Sequence, residues 1–222
     1  MSILQSSVEL AKNTRTQFWK EKSNQFGRVY PLVAASVGPY GAYLADGSEY
    51  RGNYGLSVSD LKDFHRKRLQ VLVASKPDVL AIETLPSKME MLALIELLEE
   101  EHPEQTAWMS FSCRNKNQIS DGTSWEALLP HINSSKQIIA VGANCTKPEY
   151  ISSIISKIKK QTDKVIIVYP NKGEDWDAVN NCWLGKKDNI EIEDMLVEWL
   201  SLGARIIGGC CRTNLALSLI HI

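Results

Sequence analysis

The longest uninterrupted apolar runs of this 222-residue chain are only a few residues long, far short of the ~20 needed to cross a bilayer. The first twenty residues, MSILQSSVELAKNTRTQFWK, lack the apolar stretch of a secretory leader. Formal net charge is −1, and the one basic cluster, KIKK at 157–160, lies in a helical pattern. Such a run reads as a solvated face, whereas binding to nucleic acid or an anionic membrane would need a basic stripe. The five cysteines are an odd number with no framework spacing, which argues against a disulfide-stapled secreted fold. A reducing, cytoplasmic setting is expected, with thiols free for metal or catalysis. No G-x-G-x-x-G or P-loop opens any helical segment, which argues against a nucleotide site.

What is present is alternation. Hydrophobic residues make up 44% of the chain and charged residues 23%, ordinary for a soluble globular protein. One domain over 1–222 is therefore expected. Continuously apolar runs at 30–38, 78–86, 106–113, 137–145, 164–171 and 204–211 read as strands buried on both faces. Helical patterns occupy 4–22, 57–75, 87–101, 124–133, 147–161 and 189–203. Ser57 or Ser59 is the possible N-cap of the 57–75 helix and Ser87 that of the next, and Pro130 is expected to kink or end its helix. Strand–helix alternation means an α/β fold. Glu83, Cys113, Cys145, Asn171, Cys210 and Cys211 all sit at the C-terminal tips of strands. In a (β/α)₈ TIM barrel those tips converge on one mouth. Six strands are not eight, so the expectation is an incomplete barrel of about six βα units.

The stretch RIIGGCCRTN (205–214) puts two cysteines side by side. Neighbouring cysteines make poor disulfide partners, yet they can share a metal ion if a third ligand comes from elsewhere. VGANC (141–145) ends another strand at Cys145, 65 positions before Cys210. Three thiolates with an open fourth position make a catalytic rather than a structural zinc site. Gly208 and Gly209 are expected to let the backbone turn sharply beside the metal.

Four stretches together resemble the homocysteine S-methyltransferase family: ASVGPYGAYLADGSEYRGNYG (35–55), ETLPS (83–87), VGANC (141–145) and IIGGCCRTN (206–214). The loop GPYGAYLADGSEYRG is typical of the branch using S-methylmethionine or S-adenosylmethionine. The resemblance implies a (β/α)₈ barrel and transfer of a methyl group from a sulfonium donor to the thiol of homocysteine, giving methionine. It implies Zn²⁺ as cofactor, held by Cys145, Cys210 and Cys211, and Glu83 as the carboxylate holding the homocysteine ammonium group. No catalytic side chain is expected beyond the zinc-bound substrate thiolate. Members of the family open with an Asp-Gly strand and close with a further helix. Neither is found here, so a chain lacking the first strands and the closing helix is expected.

Tyr40, Tyr43, Tyr50 and Tyr54 crowd the loop after the first strand. Tyr40 and Tyr43 are taken as candidate contacts to the sulfonium through their ring faces. The expected partners are small molecules alone, with no nucleic acid and no membrane. Cys113 reads as packing, as do His65, His102 and His131 on or beside helices. Rival readings are a catalytically inactive partial barrel, a structural zinc protein, and a thiol redox protein, the last weakened by the lack of a C-x-x-C.

Overall fold

The computed structural model describes residues 2–177, 180, 182–185 and 192–214. Its helices are α1 (Ile3–Lys20), α2 (Tyr40–Leu44), α3 (Val58–Ala74), α4 (Lys88–Glu101), α5 (Trp125–Ser134), α6 (Pro148–Lys159) and α7 (Ile192–Leu202). Its strands are β1 (Ala34–Val37), β2 (Val79–Leu85), β3 (Ala107–Phe111), β4 (Cys113–Asn115), β5 (Gln118–Ile119), β6 (Ile138–Asn144), β7 (Val165–Tyr169), β8 (Asp175–Asp177), β9 (Cys182–Leu184) and β10 (Ala204–Ile207).

β1-β2-β3-β6-β7-β10 form one sheet, and every neighbouring pair is parallel. These are the six strands expected from the apolar runs. Their spatial order follows chain order without the reversal that creates the crevice of a doubly wound sheet. That order is the sequential winding of a (β/α)₈ barrel. The six strands form an open arc of it, with β1 and β10 as edges among the described residues. β4-β5 and β8-β9 are small antiparallel hairpins beyond the tips of β3 and β7, and α2 is a single short turn. None of these three was legible as a periodic segment.

Burial explains why the strands read as unbroken apolar runs. Leu80, Ile82, Met109, Val141 and Val168 are fully buried. The helices cover the outer face. On α6, Ile151, Ile154, Ile155 and Ile158 are all fully buried, at the i, i+3, i+4, i+7 spacing of one helical stripe. Each contributes about 1.5–3 kcal/mol by leaving water. α3 begins with a capping box in which Ser57 and Asp60 exchange side-chain and backbone bonds at 3.0 and 3.2 Å. Ser87 makes no such bond. Instead Asp121 accepts from the Lys88 N–H at 2.8 Å, a cap supplied from the β5–α5 connection. The expected break at Pro130 does not occur, and α5 runs on to Ser134. The fully buried Trp125, Leu128, Leu129 and Ile132 pin that helix on both sides of the proline. Among the described residues no helix is long and apolar enough to cross a membrane.

Candidate metal centre and substrate pocket

Cys145 is the first residue past β6, and Cys210 and Cys211 follow β10 after two glycines. Backbone bonds between the loops at these strand tips bring the three together. The Cys145 N–H donates to the Tyr169 carbonyl at 3.3 Å, and the Cys210 N–H to Pro170 at 2.9 Å. The Lys172 N–H donates to the Cys211 carbonyl at 3.2 Å, and the Asn171 N–H to Thr146 at 3.2 Å. The tip of β7 is thus the splint on which both cysteine loops are laid. The sharp turns fall at Cys145 (φ 46°) and Arg212 (φ 68°). Gly208 is not the turning point expected of it: its φ is not positive, and a Cβ there would meet Tyr169 at an ordinary 3.5 Å.

The Sγ of Cys211 lies 3.7 Å from that of Cys145 and 3.9 Å from that of Cys210. All three sulfurs lie within 4.8 Å of one another. Sulfurs ~2.3 Å from a tetrahedral zinc stand about 3.8 Å apart, so this spacing fits the ion. Hydrogen bonding from Cys210 and Cys211, with burial added, drives the Cys145 thiol up, whereas hydrogen bonds from Cys145 and Cys210 draw Cys211 down. Three sulfurs this close cannot all ionise without a cation between them.

A cavity of about 230 Å³ opens beside Cys145. Tyr50, Tyr150 and Trp176 supply aromatic walls, and Arg114, Lys147 and Glu174 supply charge. Burial first, then the neighbouring Cys145 and Cys211 sulfurs, push the Tyr50 hydroxyl up, so it stays a neutral donor. Cys113 also lines the cavity, but burial lifts its thiol to about 12 and it lies outside the sulfur cluster.

The loop bearing Tyr50 is fastened from behind by buried polar groups. His65 and Glu90 are both fully buried and bonded at 2.8 Å, and Glu90 also accepts from the Tyr40 N–H at 2.5 Å. Arg68 bonds His65 Nδ1 at 2.7 Å and the Gly38 carbonyl at 2.6 Å. Because Arg68 can only donate, Nδ1 accepts and Nε2 carries the imidazole proton. Gly52 (φ 74°) closes the loop onto β2, where a Cβ would stand 2.3 Å from the Pro86 carbonyl oxygen. Tyr40 itself packs against Phe64 and Tyr54, with ring centroids 5.0 and 5.2 Å away, and Tyr43 is 71% exposed. Neither of these two expected contacts lines the cavity; Tyr50 does.

Glu83 lies in β2, and its carboxylate accepts from Ser36 Oγ at 2.6 Å and from the Tyr169 hydroxyl at 3.0 Å. Tyr169 is also bonded to Ser110 Oγ, and to Trp108 Nε1 at 3.1 Å. The Tyr169 hydroxyl is raised by burial and then by Glu83. Sequence reasoning passed over Ser36, Ser110, Tyr169 and Asn144. Their common signal is a polar group inside an otherwise apolar parallel strand.

The homocysteine S-methyltransferase family profile matches residues 1–217. Homocysteine S-methyltransferase 1 of Arabidopsis thaliana is 50% identical over 219 residues, covering 96% of this chain and 67% of the plant protein. Homocysteine S-methyltransferase YbgG of Bacillus subtilis (strain 168) is 46% identical over 212 residues, with the same coverage of each. The metallated crystal form of the homocysteine methyltransferase MmuM from Escherichia coli superimposes with a TM-score of 0.83 at 40% identity, over 96% of this chain and 67% of that one. Sequence likeness of this depth, on a sequentially wound parallel sheet whose tips gather three cysteines, settles the matter of kinship: the chain belongs to the homocysteine S-methyltransferase family.

Proposed function

We propose that this protein transfers a methyl group from a sulfonium, S-methylmethionine or S-adenosylmethionine, to the sulfur of homocysteine, with Zn²⁺ held by Cys145, Cys210 and Cys211. The observation that carries the reading is the sulfur spacing of 3.7 and 3.9 Å, which suits a tetrahedral zinc and leaves one ligand position over. Zinc bound there supplies Lewis acidity, keeping an incoming thiol deprotonated at neutral pH where an unperturbed thiol is mostly protonated.

The chain's own residues do the rest. Three cysteine thiolates outweigh the charge of the cation, which keeps sulfur nucleophilic and attracts a positively charged donor. Glu83, oriented by Ser36 and Tyr169, takes the homocysteine ammonium. Tyr50 is the aromatic group beside the sulfurs and presents its ring to the sulfonium. In the transfer a new S–CH₃ bond forms on homocysteine while the CH₃–S⁺ bond of the donor breaks, and its electron pair stays on the departing sulfur. The proton of the homocysteine thiol is lost to solvent. S-methylmethionine yields two methionines; S-adenosylmethionine yields methionine and S-adenosylhomocysteine. Opposite charges on the two reactants cancel in the transition state, so the burial of Cys145 favours reaction.

The test uses the zinc-loaded full chain and each sulfonium labelled in its methyl group. Label should appear in methionine from at least one donor, and the Cys145→Ser chain should make none. Absence of label from both donors, with zinc shown to be bound, would sink the proposal.

A further inference from the structure

The reading of Glu83 as the ammonium site leaves open what aims it. β2 pairs with β3 in register as far as Ile82↔Met109 and then resumes at Leu85↔Phe111. Glu83 and Thr84 therefore stand opposite the single residue Ser110, which is a β-bulge. Bulges re-aim side chains next to functional sites. Thr84 holds φ at 60°, a left-handed conformation that a β-branched residue rarely adopts and that persists only where surroundings impose it.

Asn144 imposes it. It is the last residue of β6, two strands away, and is 1% exposed. Its Oδ1 accepts from the Thr84 N–H at 2.8 Å, and its Nδ2 donates to Thr84 Oγ1 at 2.7 Å. One buried carboxamide thus grips the N–H and the hydroxyl of the strained residue across the inside of the sheet. The next residue is Cys145, itself at φ 46°.

We infer that Asn144 is a positioning residue for amine recognition: by clamping the Glu83–Thr84 bulge it presents the Glu83 carboxylate to the substrate ammonium, and it registers that carboxylate against the Cys145 metal ligand. The inference rests on the proposed role of Glu83. A merely structural asparagine would affect every ligand alike. An aiming asparagine affects only ligands that carry the amine.

Calorimetric dissociation constants on the zinc-loaded full chain separate the two, using L-homocysteine and 4-mercaptobutanoate, the same molecule without its amine. The native chain prefers homocysteine. Glu83→Ala abolishes the preference. Asn144→Ala reduces it about tenfold, the effect of misplacing one charged hydrogen bond, while zinc content and 4-mercaptobutanoate binding stay unchanged. Asn144→Asp retains the preference, because its carboxylate accepts from both the Thr84 N–H and the hydroxyl. Adding Thr84→Gly to Asn144→Ala restores most of it, because glycine holds positive φ unaided. If Asn144→Ala fails to fold, Thr84→Val removes half of the clamp without touching β6 and is read the same way. Persistent preference in Glu83→Ala overturns the ammonium role and this inference together. Lost preference in Glu83→Ala with full preference in the clamp variants overturns this inference alone, as does equal weakening of both ligands.

Discussion

Replacing Cys211 by serine is a sharp test of the metal centre, because the Cys211 sulfur lies 3.7 and 3.9 Å from the other two. The serine hydroxyl does not ionise at neutral pH, so the site loses one anionic ligand and one corner of its tetrahedron. Zinc bound by a full cysteine-rich set is worth about 10–16 kcal/mol. Shared among three or four ligands, one thiolate carries about 3–5 kcal/mol, or roughly 100- to 4,000-fold in affinity at 1.4 kcal/mol per tenfold. The assay is competition against a chromogenic chelator of known affinity, with metal content per chain measured after dialysis. Cys145→Ser and Cys210→Ser should fall in the same range. Cys182→Ser, an exposed position on β9, should bind as the native chain does. Native affinity and one zinc per chain in Cys210→Ser or Cys211→Ser would refute the three-thiolate centre, because neither remaining pair could hold the ion as tightly.

Three other perturbations follow from geometry. A Cβ on Gly142 would stand 1.6 Å from the Ile167 carbonyl oxygen on β7, so Gly142→Ala should cost about 3 kcal/mol, the upper end of overpacking, in denaturant unfolding. Gly38→Ala, with nothing within 4 Å, should be near neutral; equal stability of the two variants would contradict the close β6–β7 approach. Tyr50→Ala should raise the KM for the sulfonium about tenfold, the scale of a desolvated cation–π contact, with Tyr50→Phe near native; an unchanged donor KM would remove Tyr50 from the donor site. Burial lowers the His65 pKa in the folded chain, so below its ordinary value near 6.5 the unfolded chain binds the extra proton and stability falls with pH. Thermal midpoints should therefore be flat in this respect above about pH 6.5 and drop below it, and His65→Gln should flatten the acid limb; an identical slope in the variant would show that His65 does not titrate on unfolding.

Reading the sequence went furthest where chemistry is written in residue type. The six strands were legible because both of their faces are buried, which leaves unbroken apolar runs such as VLAI in β2. The thiol cluster was legible because adjacent cysteines have few other uses. The tyrosine loop was harder. Tyr40, Tyr43, Tyr50 and Tyr54 are indistinguishable by type, and which one reaches the sulfurs depends on how Glu90, Arg68 and Gly52 fasten the loop. Those partners lie up to 50 positions away. The β4-β5 and β8-β9 hairpins were missed because strands of two or three residues carry no periodicity. Ser87 does stand at the N-cap of α4, but its side chain makes no capping bond, and the oxygen that takes the Lys88 N–H comes from Asp121, 33 positions on. The missing break at Pro130 is a case of tertiary packing overriding local preference.

The residues that support the site share a further property that no propensity scale exposes. Thr84, Cys145 and Arg212 all hold positive φ, at 60°, 46° and 68°; Thr84 is the penultimate residue of β2, Cys145 the first past β6, and Arg212 lies in the loop that follows β10. Threonine and cysteine in apolar runs read as strand interior, so sequence logic places them in the extended region. The fold instead interrupts the β2–β3 ladder at Thr84 and ends β6 before Cys145, turning the chain at both places. Left-handed conformations at non-glycine residues cost of order 1–3 kcal/mol each, and their cost is offset by contacts that cross between strand tips: Asn144 to Thr84, Cys145 to Tyr169, and Arg212 to Glu174 in the loop after β7. Those contacts join strand tips that are distant in sequence but neighbours or next neighbours in the arc. The geometry of the metal centre is therefore a property of the sequentially wound sheet as a whole, and substitutions that slip the register of β6 against β7 should disturb zinc affinity and thiol binding together even when every ligand is intact.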